Sequence, residues 1–158
     1  MDYQEVQRFN QLWIWALLIG LNLIPALGIY RQIILGIPFG NNPLPDAGLG
    51  ALQLFTLFLL WGMSRLRLYT NLNSTHIDIR FYPLTQQRIK WSEVKKAEII
   101  NYGFVGGWGI RLTARYGTVY NTRGNMGLLL ELKNGKKICI GTQQPEILGQ
   151  WLTQGGEK

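Results

Sequence analysis

The chain has 158 residues, 47% of them hydrophobic and 16% charged, with a formal net charge of +7. One cysteine, Cys139, and one histidine, His76, exclude an intrachain disulfide and a Cys/His metal cluster. Residues 1–64 carry only Arg8 and Arg31 against Asp2, Glu5 and Asp46, and the other 14 basic residues all lie from Arg65 onward.

No charge interrupts the chain between Arg8 and Arg31, or between Asp46 and Arg65. As a helix, an apolar run of about 18 residues crosses the ~30 Å hydrocarbon core of a bilayer. The first run, Leu12 to Tyr30, reads as a retained helix and not a secretory leader. Asp2 and Glu5 stand where a leader is basic, and no small-residue cleavage site follows. The second run, Ala47 to Ser64, is followed at once by Arg65 and Arg67. The pattern predicts a two-helix transmembrane hairpin over residues 1–67, with spans at about 12–30 and 47–64. The basic excess beyond it places both termini in the cytoplasm and the loop Arg31–Asp46 outside.

Asn22 and Gln53 are polar interruptions of the two spans. At 1.5 Å per residue, Asn22 lies about 15 Å from Leu12 and Gln53 about 16 Å from Ser64. Both therefore fall at mid-depth, where an interhelical hydrogen bond is expected and a polar relay or ligand site is the alternative. Pro25, with Ala16, Gly20 and Ala26, is expected to mark a close-packing face.

From Leu68 the period becomes alternating. Ile77, Ile79 and Phe81 alternate with His76, Asp78 and Arg80, the pattern of a half-buried strand that Pro83 ends. Asn71 to Thr75 before it has turn chemistry. Ile89 and Trp91 continue the alternation, and Val94 to Ile100 forms a further strand. Ile110, Leu112 and Ala114 alternate with Arg111, Thr113 and Arg115, and Val119–Tyr120 begins a short strand. Leu128, Leu130 and Leu132 then face Ile138 and Ile140 across a turn. A two-residue Asn134–Gly135 turn would pair Leu130 with Cys139 and mix the faces. A three-residue loop, Lys133 to Gly135, with Gly135 at positive φ, pairs Leu130 with Ile138 and Leu128 with Ile140. The apolar match selects the second. A helix over about 143–153 follows, with Thr142 as cap, Ile147, Leu148, Trp151 and Leu152 at helical spacing, and Gly155–Gly156 as stop.

Several segments carry a likeness. They are Pro38 to Pro43, Ile89 to Val94, Gly106 to Arg111, Tyr120 to Asn125 and Ile140 to Glu146. Six or seven short strands closed by one helix complete it. In these the chain resembles bacterial pleckstrin-homology-like (PH-like) membrane proteins of an uncharacterised family with two transmembrane helices. The resemblance implies a membrane α-helical hairpin plus an α+β domain at 68–158. That domain would be a PH-like antiparallel β-sandwich or barrel closed by the C-terminal helix, at the cytoplasmic (inner) membrane of a bacterium. It carries over no catalytic or binding residues.

Motifs for chemistry are thin. Gly103 to Gly109 lacks the Gly-Lys-Ser/Thr that opens a helix in a phosphate loop, so it reads as a strand connection whose Phe104 and Trp108 touch headgroups or pack under the sheet. Asp78, Glu93, Glu98 and Glu131 are scattered, His76 lies on an outward face, and Cys139 alternates with apolar residues. No catalytic residue, cofactor or metal site is expected, and an enzyme is the third reading. The leading expectation is a non-enzymatic, membrane-anchored module that binds a protein partner or a second copy of itself. The runner-up is an anionic-lipid sensor that uses Arg65, Arg67, Lys95, Lys96, Arg111 and Arg115. Nucleic acid is not expected, because the charge is dispersed.

Overall fold

In the computed structural model, residues 2–155 are described. They divide into two units, a helical one over Asn10–Arg65 and a β-rich one built from Met1–Phe9 together with Leu66–Lys158. The expected boundary at 67/68 therefore shifts. Residues 2–9 belong with the β-module, and the helices are an insertion within it.

The helical unit contains α1 (Leu12–Ile29), extended by a π-helical turn over Tyr30–Ile34, and α2 (Asp46–Arg65). Both are long and apolar enough to cross a membrane, and only 11% of each apolar window is buried within the protein. The buried and half-buried positions are spaced as a seam, at Leu18, Asn22, Pro25 and Ile29 on α1 and Leu49, Gln53, Thr56 and Leu60 on α2. Alternating steps of three and four are the spacing of knobs-into-holes packing. Pro25 and Gly28 are buried in that seam, whereas Ala16, Gly20 and Ala26 are exposed. The expected small-residue face is thus corrected. Gly28 is the close-approach residue, since a Cβ there would lie 2.9 Å from the Phe39 ring and 3.1 Å from Leu49. The loop between the helices is clasped by Gln32, whose Nε2 donates to Leu44 O at 2.8 Å and to Asp46 Oδ1 at 2.7 Å.

The β-module has two sheets. Strands β1 (Tyr3–Arg8), β2 (Arg67–Leu72), β3 (His76–Tyr82) and β4 (Thr85–Lys90) form an antiparallel sheet in chain order. A 3₁₀ turn at Trp91–Glu93 then breaks the ladder. Strands β5 (Val94–Asn101), β6 (Gly109–Thr113), β7 (Gly117–Asn121), β8 (Met126–Leu132) and β9 (Lys137–Gly141) make a second sheet in the order β5-β8-β9-β7-β6. The two sheets do not close into a barrel, and β7 runs parallel to β9, so the expected barrel and the all-antiparallel pairing are corrected to two separate sheets, one of them mixed. Helix α3 (Pro145–Gly155) follows; Gly156, the second half of the expected stop, lies outside the described residues.

The most fully buried large apolar side chains include Leu68, Leu72, Ile77, Ile79, Phe81 and Ile89 of the first sheet, Leu128, Leu130 and Ile140 of the second, and Leu148 of α3. The β8–β9 register is Leu128 opposite Ile140 and Leu130 opposite Ile138, and Gly135 has φ +83°. The opposite face of the second sheet is buried too. Val119, Leu129 and Cys139 form a small cluster with Tyr102, against which Ile100, Val105 and Tyr116 pack. Gly127 permits this cover, because a Cβ there would lie 2.7 Å from Ile140 O and 2.9 Å from the Tyr102 ring.

The second sheet is tied to β1 by buried side-chain hydrogen bonds. Just after β9, Thr142 Oγ1 donates to Glu5 Oε2 at 2.7 Å. Just after β7, Thr122 Oγ1 donates to Gln7 Oε1 at 2.9 Å, while Gln7 Nε2 donates to Gly141 O at 2.6 Å. Gln7 therefore ties β1 to the last residue of β9 and to the residue just after β7 at once.

Candidate functional site

The four-stranded sheet has two chemically different ends. At one end Arg8 lies opposite Arg67, and Arg67 opposite Tyr82. Here the chain leaves β1 for α1 and returns from α2 into β2. At the other end, Leu72 pairs with Ile77 and His76 with Lys90. Tyr82 and His76 are six residues apart on β3, which is about 20 Å at ~3.3 Å per residue.

The far end carries a cleft of about 1070 Å³ whose lining includes Lys90, Lys95, Lys96 and Lys133 together with Ser74, Thr75, Ser92 and Trp91. Its walls are fixed by local chemistry. Asn73 Oδ1 accepts hydrogen bonds from the backbone N–H groups of Thr75 and His76 at 2.9 and 2.8 Å, which shapes the turn before β3. Trp91 Nε1 donates to Asn73 O at 2.7 Å, and the Trp91 ring stacks on Trp151 of α3 with centroids 5.9 Å apart. Lys133 enters from the β8–β9 turn because its backbone N–H donates to Glu93 O at 2.9 Å. Lys96 is held by Glu98 at 2.7 Å, and that hydrogen bond raises its pKa. Lys90, Lys95 and Lys133 form no salt bridge among the described residues.

No protein-family model matches this chain, and no curated protein matches it either. Its site is therefore read from its own geometry.

The six cations singled out in the sequence do not form one patch. Lys95 and Lys96 line the far cleft, while Arg67 opens β2 at the connection end. Arg111 is on β6 and Arg115 in the turn after it, with its guanidinium 5.2 Å from the Tyr116 ring centroid. Arg65 ends α2 in the helical unit, over Trp61 at 5.4 Å. Lys90 and Lys133 join the cleft although sequence reasoning did not single them out. The signal was present only as a pair of tryptophans, Trp91 and Trp151, that needed the fold to bring them together.

In the helical unit the structure does bring Asn22 and Gln53 together. Gln53 Nε2 donates to Asn22 Oδ1 at 3.2 Å, and Asn22 Nδ2 donates to Thr56 O at 3.1 Å and to Leu18 O at 2.9 Å.

The other reactive side chains are tied into the fold. His76 lies between Thr75 Oγ1, 2.8 Å from Nδ1, and Asp78 Oδ2, 3.1 Å from Nε2. Cys139 is fully buried, and burial pushes its thiol up to about 12. Among the described residues no group of three His, Cys, Asp or Glu side chains could hold a metal ion. The glycine-rich stretch is a connection into strand β6, with Val105 packed on the outer cluster and Phe104 exposed.

Proposed function

We propose that the protein is a membrane-anchored, non-enzymatic PH-like module of a bacterial inner membrane, which holds its lysine-lined cleft toward an acidic segment of a protein partner. Helices α1 and α2 serve as the two spans. The carrying observation is the sheet that joins both flanks of the hairpin: β1 before α1 pairs along its whole length with β2 after α2. Strands that share one ladder must lie on one side of a bilayer, so an even number of spans fits and a single span does not. The basic excess of the module favours the cytoplasmic side.

The cleft suits an acidic peptide better than the headgroups of the same membrane. It lies about 20 Å along β3 from the strand ends that flank the hairpin. Serine and threonine hydroxyls beside the lysines add donors for carboxylates, and Trp91 and Leu152 add apolar surface. A polyglutamate peptide titrated against the full chain in lipid nanodiscs tests this reading. Binding that weakens with salt, and that is lost in the triple variant Lys90→Glu, Lys95→Glu, Lys133→Glu, is expected. Equal binding by the wild type and the triple variant would count against the cleft.

A further inference from the structure

We infer that the acidic segment enters the lysine-lined cleft as an added β-strand, paired along the open edge of β5, with acidic and apolar side chains alternating along it. The inference rests on the acidic-partner reading of that cleft and names how the partner is held.

The open edge is read from the ladder. In the order β5-β8-β9-β7-β6, β5 has a strand on one side only. Pairs in an antiparallel ladder alternate between those that exchange hydrogen bonds and those that do not. Leu132 N donates to Lys136 O at the β8–β9 turn, and Tyr102 N donates to Asn125 O beyond the other end of β5. Counted from either bond, Lys96, Glu98 and Ile100 exchange hydrogen bonds with β8. The N–H and C=O of Ala97 and Ile99 therefore point to the open side, where no strand pairs with them among the described residues.

The cleft lies on this edge. Val94, Lys95, Lys96 and Ala97 of β5 line it, and so do Leu152 and Thr153 of α3. Helix α3 runs beside β5, since a Cβ on Gly149 would lie 3.4 Å from Ile99 Cδ1. Ala97 stands opposite the fully buried Leu130, so its side of the strand faces the core and α3. Successive side chains of a strand point to opposite faces. A residue level with Ala97 thus turns toward Leu152, where an apolar group fits, and its neighbour lies level with Lys96 on the outer face.

Charge selects the occupant. The lining holds Lys90, Lys95, Lys96 and Lys133 and no acidic residue. Lys95 is the extra residue where the β5 register shifts between Val94 and Lys96, so two adjacent lysines stand at the edge. Like charges set opposite one another destabilise a strand pair, so a second β5 is repelled and an acidic strand is attracted. Glu98, the next outer residue, is already partnered by Lys96 at 2.7 Å. Main-chain bonds along an open sheet edge supply affinity, and alternate side chains supply specificity.

The test titrates a peptide of alternating glutamate and valine against the full chain in lipid nanodiscs, beside two analogues. One is N-methylated at its valine amides and the other at its glutamate amides, so each lacks the donors of one strand edge. The parent peptide is expected to bind, and one analogue to bind at least about tenfold more weakly than the other, as suits the loss of strand hydrogen bonds. Failure of the valine analogue assigns antiparallel addition, and failure of the glutamate analogue parallel addition. Ala97→Pro removes an edge N–H at a position where an edge strand tolerates proline. It is expected to weaken the parent peptide with the melting temperature near that of the wild type; if the variant unfolds, the analogues decide alone. If both analogues bind like the parent, or both fail alike, while the Lys90→Glu, Lys95→Glu, Lys133→Glu variant still loses the parent, the strand is overturned and the cleft stands. If the parent binds the wild type and that triple variant equally, or binds neither, the cleft reading fails and the strand with it. Protection of the Ala97 amide from exchange that follows protein concentration without peptide would assign the edge to a second copy and also overturn the inference.

Discussion

Thr142 donates a 2.7 Å hydrogen bond to Glu5 across 137 residues of chain, and the strand that precedes the helical hairpin is fastened by it to the end of β9. The same carboxylate accepts from the Tyr3 hydroxyl at 2.6 Å and from the Gln143 backbone N–H at 2.8 Å. Glu5 is only 7% exposed, so a buried charge is balanced by three donors. Burial and the neighbouring carboxylate together raise the pKa of Tyr3. This cluster closes the module across its own insertion, which no local signal could do.

Removing that acceptor strands the donors. A hydrogen bond to a charged group contributes about 1.5–3 kcal/mol, and a buried unsatisfied donor costs about 1–3 kcal/mol. Glu5→Ala is expected to destabilise the β-module by about 3 kcal/mol. It should also release β1, which would appear as early proteolysis near the N-terminus of the detergent-solubilised protein. Thermal unfolding beside limited proteolysis measures both. Val6→Ala, at a half-exposed position between Glu5 and Gln7, should leave both readouts nearly unchanged.

Asn22 and Gln53 meet through a single interhelical bond at 3.2 Å, and Asn22 also reaches the Thr56 carbonyl. Interhelical side-chain bonds within bilayers average about 0.6 kcal/mol in double-mutant cycles. The cycle through Asn22→Ala and Gln53→Ala is expected to give a coupling of that size, with the fold retained in each variant. Asn22→Ala should be the costlier single change, because it removes two contacts to α2 and not one. Unfolding of the helices in mixed micelles reads the difference.

The sequence made the β8–β9 turn legible because a one-residue slip would have turned Leu128 and Leu130 outward. The structure has that register, with Gly135 at φ +83°. Gly135→Ala should therefore cost about 1–2 kcal/mol, the left-handed penalty for a residue with a Cβ, readable as a fall in denaturation midpoint. Strand β1 was illegible for the opposite reason. Its inward residues are Tyr3, Glu5 and Gln7, and its apolar Val6 faces out, so its alternation carries the wrong polarity and its partner strand begins at Arg67. The lysine cleft was half legible. Lys95 and Lys96 stand together in the chain, but Lys90 and Lys133 join them only through the Trp91 turn and the Lys133–Glu93 backbone bond. Strand β6 misled in a third way: Ile110 and Leu112 alternate as a buried face would, yet they lie on an exposed edge.

Cys139 offers a probe of the outer cluster. It is fully buried, and its thiol is pushed up to about 12 by burial, so little thiolate forms at neutral pH. A disulfide reagent at pH 8 is expected to leave the folded protein unmodified and to react at once in denaturant. Gly127→Ala, which drives a methyl against Ile140 O and the Tyr102 ring, should open the cluster. Slow labelling of Cys139 in that variant, without denaturant, is the expected result.

Asp78 supplies a pH dependence whose sign can be worked out. Arg88 Nε donates to Oδ1 at 2.6 Å and Nη2 to Oδ2 at 3.2 Å, and this fork, ahead of its charge, holds the Asp78 carboxyl below its ordinary 3.8. In the unfolded chain the group returns to about 3.9. A carboxyl depressed by folding stabilises the fold fully above its unfolded pKa and loses that contribution as pH falls through the lower folded value. Because Arg88 is exposed to solvent, the pair is a screened surface ion pair that contributes little. Asp78→Asn is therefore expected to lower stability slightly at pH 7, to match the wild type once the pH has fallen below the lowered folded value of Asp78, and to flatten the acid limb of the stability curve between. Added salt should shrink the difference at pH 7, since exposed charges are screened. Urea midpoints from pH 7 down to pH 2, at low and high salt, measure this. A difference that persisted at the acid end would place the effect of the substitution in packing and not in the ion pair.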